Sequence, residues 1–470
     1  YNSWAVDHVY NSPGNYQLQL TVRDTDGKSA TTSEQVVVTS TTQPEAAPVA
    51  TTQNGQGSRS PMGTNVTAIR DWVTSQPFVD IFRSAKSFLK ENGNSISYDA
   101  NGWPKNLNGK VANTFIVSSL PANAIPTGEY TVLYDGEGEF DFNYGEVVAE
   151  SPGRKLLKFT NFNRILELRI TQSNPANHIR NIRILMPGGI CAGDPVKRVN
   201  SETACAAGDY LDFETHHKSV VFNPDYLRFM KNFSVLRFMD FMDTNHSKVS
   251  KWSEMVPYDA ATWGVAAEGK SAGPVSVMVE LANEINADPW FTLPHLASDD
   301  YVRKFADYVR DNLKPGLKAY VEYSNEVWNG VFSQATYARQ RGVAMNLDSN
   351  PDKAQLKFYA KRSVQIFKIW ENSFGGTNRL VRVLASQSRI PDKSNTILSF
   401  DDAYKSADAL AIAPYFGGDP APFRGLSNVG ALFTRLNDPG FSRSVPDVKN
   451  DLLAQKALAD EYGVDLISYE

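Results

Sequence analysis

Cysteine is nearly absent, with two in 470 residues, Cys191 and Cys205. A zinc cage is thereby disfavoured, since it needs four ligands and no partner His or Cys lies nearby. Histidine is scarce as well, at six residues, and neither a metal nor an organic cofactor is expected. No stretch approaches the roughly 18 consecutive apolar residues of a membrane span. No basic run occurs, and a net charge of −5 offers nothing to a nucleic acid. A Gly-rich phosphate loop after a first strand is also missing, which counts against a nucleotide-binding open sheet. No signal peptide is visible. Little follows from that, because the chain reads as starting inside a domain.

What is present is ordinary for soluble globular protein: 41% hydrophobic and 21% charged residues. A chain of 470 residues is expected to form two to four domains. The cysteines lie in "GGICAGDPVKRVNSETACAAGDY", a loop by composition. A disulfide there would stabilise by roughly 3 kcal/mol and would point to an oxidising, extracellular compartment. Two free thiols are the alternative.

Residues 1–39 read as short strands, with "GNYQLQLTV" and "TTSEQVVVT" on either side of "RDTDGKS", which carries Asp-Gly turn chemistry. Asp24 and Asp26 read as turn residues rather than calcium ligands, because too few carboxylates gather there. The phrase "VYNSPGNYQLQLTVRDTDGKSATTSEQVVV" resembles the C-terminal half of a polycystic-kidney-disease (PKD) repeat. Residues 40–62, rich in Thr, Gln, Pro, Ala and Gly, cannot bury a core and read as an extended linker. By that resemblance, such modules on such linkers imply a secreted, modular polysaccharide-degrading protein. Residues 63–96 are expected to start a larger domain. The segment 97–187 is strand-rich without helical periodicity, and a jelly-roll-like β-sandwich is expected.

Past residue 220, strand-like and helix-like runs alternate, the signature of a parallel α/β fold. The strand runs are 234–241, 289–295, 318–326, 381–388, 409–416 and 464–470. Each is apolar in its body and ends on a polar or aromatic residue: Arg237, His295, Glu326, Gln387, Tyr415, Glu470. In a (β/α)8 barrel the site is assembled at that end of the strands. A barrel is therefore expected over 188–470, with "GTNVTAIRDW" (63–72) as strand one and "IRILMPG" (181–187) as the other candidate. The sandwich is then an insertion. Counted this way Glu326 ends strand four, Glu470 ends strand seven, and strand eight is missing, so a fragment at both ends is expected.

Hydrolysis of a glycosidic bond needs two carboxyl groups flanking the scissile centre. Glu326 and Glu470 are the glutamates at predicted strand ends. In "YVEYSNEVWN", Asn325 can donate to a sugar hydroxyl and Trp328 offers a flat apolar face. "YSNEVWN" on strand four and "YE" on strand seven resemble the clan A glycoside hydrolases, the cellulase-like group. The resemblance implies a retaining mechanism, with Glu326 as acid/base and Glu470 as nucleophile. It also implies supporting roles for Asn325, Arg237, His295 and Tyr415. Arg237 and Tyr415 would hold Glu470 ionised, and a charged Glu470 would raise the pKa of Glu326.

Alternatives stay open residue by residue. Arg237 could pair with Asp240 or Asp243 instead, and His295 could be a core histidine. Trp252 and Trp263, in the long loop after strand two, are candidates for sugar stacking. Asn245, the Asp71-Trp72 pair and Gln387 are further candidates for the substrate site. His216 and His217, read as adjacent strand residues, would face opposite ways and so make a poor metal pair. Two function classes are therefore carried. One is a secreted, endo-acting hydrolase of β-linked polysaccharide, with β-glucan or cellulose favoured and xylan, mannan or algal galactan open. The other is a non-catalytic glycan-binding or adhesion protein. Neither requires nucleic acid or a membrane.

Overall fold

The computed structural model describes residues 14–23, 29–38, 61–88, 96–121, 124–159, 164–264, 273–418 and 421–470. Nearly all of the linker and the Asp24-Asp26 turn lie outside them. The chain divides into two compact units: residues 1–58 with 416–447, and residues 59–415 with 448–470. In the first, Gly14–Arg23 pairs antiparallel with Ser29–Val38, in a register running from Gly14 opposite Val38 to Arg23 opposite Ser29. The helix Val429–Leu436 of the same unit is capped by Asn428, whose side chain accepts from the Ala431 N–H.

The second unit is built around a seven-stranded parallel sheet in sequential order. Its strands are β1 (Gly63–Asn65), β2 (Val235–Arg237), β3 (Asp288–Leu293), β4 (Ala319–Tyr323), β5 (Leu380–Ala385), β6 (Ala409–Ile412) and β7 (Asp465–Ser468). The sheet curls far enough that the Asn65 amide at the end of β1 donates to the Tyr469 carbonyl beyond β7, 2.9 Å away. It forms a half-barrel consistent with a partial TIM-like barrel.

The curl follows from which side chains fill each face, because successive strand residues alternate. The outer face carries Leu236, Phe291, Leu293, Val321, Tyr323, Leu384 and Leu410, all within the largest buried cluster. They meet the buried faces of helices Val275–Ile285, Asp299–Asn312 and Pro351–Phe374. The inner face is narrower. There Trp290 and Tyr469 cluster with Val383, Ala385, Ala411 and Ala413. Two large rings set against three alanines fill a tapering interior without overpacking.

The strands stop earlier than the apolar runs suggest. The first run, 63–72, gives only Gly63–Asn65, and the fourth, 318–326, ends at Tyr323. Ser324 takes φ 62 and Glu326 φ 41, left-handed values that no strand accommodates. The alternative first strand, 181–187, falls instead largely in Arg180–Leu185, which pairs antiparallel with Gly128–Asp135.

The strand-rich segment forms separate antiparallel sheets. One has the order 180–185, 128–135, 154–159, 146–151, and another the order 112–118, 165–173, 138–143. Both contribute to a second buried cluster that includes Tyr130, Val132, Leu157, Leu166, Leu168 and Ile184. A small sheet of 189–191, 194–199 and 210–212 carries the disulfide between Cys191 and Cys205. His216 lies on a short helix, Phe213–His216, not on a strand as the sequence implies, because Asp212 caps the turn at Thr215 N–H.

Candidate active site

Arg237, the last residue of β2, is 2% exposed and organises the site. Its Nε and Nη2 donate to Glu322 on β4 at 3.1–3.2 Å. Nη2 also donates to Asn325 Oδ1 at 2.8 Å. Nη1 reaches Asn65 Oδ1 at 3.1 Å and Glu470 Oε1 at 3.4 Å. The sequence alternatives, Asp240 and Asp243, are not among these partners. Asp243 pairs with Arg70 at 3.8 Å. The guanidinium lies 5.3 Å from the Trp290 ring centre and 4.9 Å from that of Tyr469, within cation–π range of both.

Glu326 is held from the other side. Tyr469 Oη donates to its Oε1 at 2.8 Å, and Asn329 Nδ2 donates to its Oε2 at 2.8 Å. The two candidate glutamates are thus linked through adjacent residues, Tyr469 binding Glu326 and Glu470 bound by Arg237. The left-handed turns at Ser324 and Glu326 bracket Asn325 and swing the Glu326 carboxyl off the strand line. Asn325 is fixed at both ends, accepting from Arg237 and donating to Asn245 Oδ1 at 3.1 Å. Gln334 secures the turn by donating to Asn245 Oδ1 and to the Asn325 carbonyl at 2.7 and 2.9 Å. Asn245 is therefore a brace for Asn325.

A cavity of about 490 Å³ opens beside this network, between β1 and β7, lined by Asn65, Arg237, Trp290, Tyr320, Tyr469 and Glu470 among others. Burial pushes the Glu470 carboxyl up, to about 7, and raises that of the neighbouring Glu322 as well. From sequence Glu470 is cast as the ionised partner. Burial outweighs the attraction of Arg237, while Glu326, Glu322 and Asp240 add like-charge repulsion.

The remaining sequence candidates are dispersed. Tyr415 is 51% exposed and forms no hydrogen bond with Glu470, and the tyrosine that touches a candidate carboxylate is Tyr469. His295 is buried with Nδ1 unpartnered, beside Tyr337 at 5.4 Å, and burial lowers its pKa to about 4. Nothing ties it to the glutamates. Trp252 packs against the main core and meets Tyr301 edge-on, and Trp263 is buried against Phe78. Trp263 is 1% exposed and offers no free ring face, while Trp252 is half-buried. Asp71 is buried against Ser118 and Lys86, while Trp72 is 58% exposed. Trp328 is half-buried, its indole N–H unpartnered and Lys393 Nζ 5.3 Å from its ring centre. Gln387 accepts from the same Lys393 at 2.7 Å.

No known protein-family profile matches the chain, and no curated protein matches it significantly. Residues of the network that escape sequence reasoning include Asn65, Trp290, Glu322, Gln334 and Tyr469. Asn65 and Glu322 share a usable signal, a polar side chain within or at the end of an apolar strand run. Among the described residues no group of His, Cys, Asp and Glu is arranged to hold a metal ion, and no helix is long and apolar enough to cross a membrane.

Proposed function

We propose that this protein is a glycoside hydrolase of the cellulase-like clan A type, acting on β-linked polysaccharide by a retaining double displacement. One observation carries the reading. Glu326 and Glu470, from the ends of two strands three apart, enter a single hydrogen-bonded network beside an open cavity. In this scheme Glu326 gives its proton to the leaving oxygen as a Glu470 oxygen bonds to the anomeric carbon. Water then attacks that carbon, Glu326 takes the water's proton, and the Glu470 ester bond breaks. Arg237 stabilises the Glu470 carboxylate, and Asn325 orients the sugar.

The accompanying architecture fits this use. The half-barrel is read as a (β/α)8 barrel, the sheets of 97–187 as an inserted sandwich, and the hairpin of 14–38 as part of a PKD-like module. The disulfide is compatible with secretion. The sugar and linkage are left to experiment, with β-glucan first and xylan, mannan and algal galactan next.

Release of reducing ends from such a panel, compared between the wild type and Glu326→Gln, tests the proposal. Release by the wild type alone supports it. Binding without release by the wild type would instead favour a glycan-binding protein. Trapping with a 2-fluoro glycoside should leave its label on Glu470, and a label on Glu326 would reverse the two roles.

A further inference from the structure

Glu322 is a buried carboxylate that the two-glutamate scheme leaves without a task. It lies on β4, 1% exposed, opposite Thr292 on β3 and Val383 on β5. Its two oxygens receive the Nε and Nη2 groups of Arg237 and the indole N–H of Trp290, the last at 2.8 Å. This is a side-on fork, the geometry in which a planar guanidinium and a carboxylate fix each other's orientation.

The fork uses one edge of the guanidinium. Nη1 is left to point at Asn65 and Glu470, and the second hydrogen of Nη2 reaches Asn325. Rotating the guanidinium would break all of these bonds at once. Trp290 adds a second restraint, because the indole that donates to Glu322 also lies beside the Arg237 guanidinium.

Charge leads to the same residue. A buried Arg–Glu pair roughly breaks even against an apolar pair of similar volume, so stability alone does not account for it. Here Arg237 is shared among carboxylates. Glu322 holds it at 3.1 Å and Glu470 at 3.4 Å, so a charge on Glu322, beside the same guanidinium, repels the Glu470 carboxylate and offsets part of the attraction of Arg237.

We propose that Glu322 is a positioning residue for this site: it grips one edge of Arg237, together with Trp290, so that the opposite edge faces Glu470 and Asn325, and its charge offsets part of the attraction of Arg237 for the Glu470 carboxylate. The inference rests on the hydrolase reading for its purpose, but not for its test.

The test is a carboxyl titration of the whole chain by NMR, with glutamate labelled at Cδ and the Glu470 signal identified by its loss in Glu470→Gln. Glu322→Gln keeps the side-chain size and an acceptor while removing the charge. The Glu470 midpoint should then fall from about 7 by roughly one pH unit, as expected when a nearby like charge is removed. An unchanged midpoint in a folded Glu322→Gln protein overturns the proposal.

A second measurement needs only the wild type. The Arg237 guanidinium, assigned by its loss in Arg237→Lys, should show hindered rotation with separately resolved Nη signals. Free rotation overturns the proposal even where Glu322→Gln is too unstable to titrate. Hydrolysis is scored separately. A wild type that cleaves no glycan sinks the hydrolase reading and leaves both NMR results standing.

Discussion

Arg237 and Arg83 are both buried arginines, yet they are used differently. Arg83, on the short helix Ile81–Ser84, donates to the Ala260 carbonyl at 2.8 Å and to the Tyr258 carbonyl at 3.4 Å. It pairs with Asp80, 3.3 Å away in its own turn, and its guanidinium lies 4.4 Å from the Trp263 ring centre. Burial pushes its pKa down to about 10. Among the described residues its polar partners apart from Asp80 are backbone carbonyls, so it works as a clamp between two loops. Among the described residues the Arg237 guanidinium donates to no backbone carbonyl. Its partners are side chains of Asn65, Glu322, Asn325 and Glu470, drawn from several strand ends. Burial alone therefore does not mark a functional arginine; the kind of partner does.

The comparison can be broken at several points. The largest effect belongs to Glu326→Gln, which should lower the hydrolysis rate by roughly 10²–10⁴ with an unchanged melting curve. Next comes Arg237→Met, which leaves Glu322 buried without its cation and should cost about 3–5 kcal/mol in denaturant titration as well as activity. Adding Glu322→Leu to that variant should restore most of the stability and none of the activity.

Arg83→Met should cost less, about 1–3 kcal/mol from its unpaired carbonyls, and glycan cleavage should stay close to wild type. Loss of cleavage on Arg83→Met would erase the distinction between clamp and site. The smallest effect is one of pH. Glu470 titrates near 7 in the folded chain against 4.5 as an ordinary carboxyl. Its protonation therefore adds stability that is fully present below about pH 4.5 and lost as the pH rises through 7. Relative to Glu470→Gln, the wild type should lose melting temperature across that window. If Glu470 is the nucleophile, kcat/KM should rise over the same range.

The outer surface of the half-barrel was legible because burial on both faces leaves an apolar run at every strand. Ser298 and Gly463 stand at helix ends and are residue types that signal them, the first accepting from Tyr301 N–H and the second at φ 68. The helices Ser333–Ala344 and Pro391–Ser399 were not anticipated, since each buries only a few residues and carries little apolar periodicity. At the site, Glu326, Glu470 and Arg237 could be picked out because they follow strand runs. Trp290 could not, because a strand's two faces look alike until the sheet curls and makes one of them an interior; Glu322 left only the signal of a polar side chain within an apolar run. Tyr469 was hidden by its neighbour: the "YE" motif drew attention to the glutamate.

The Asn65 bond to Tyr469 spans 404 residues, the Arg237 bond to Glu470 spans 233, and the Tyr469 bond to Glu326 spans 143. Contacts this remote pay their loop-closure entropy late, after neighbouring strands have paired. The network is thus a product of the slowest encounters in the chain. During refolding, secondary structure should return before the Glu326–Tyr469 link forms, and any activity that needs that link should be the last property regained.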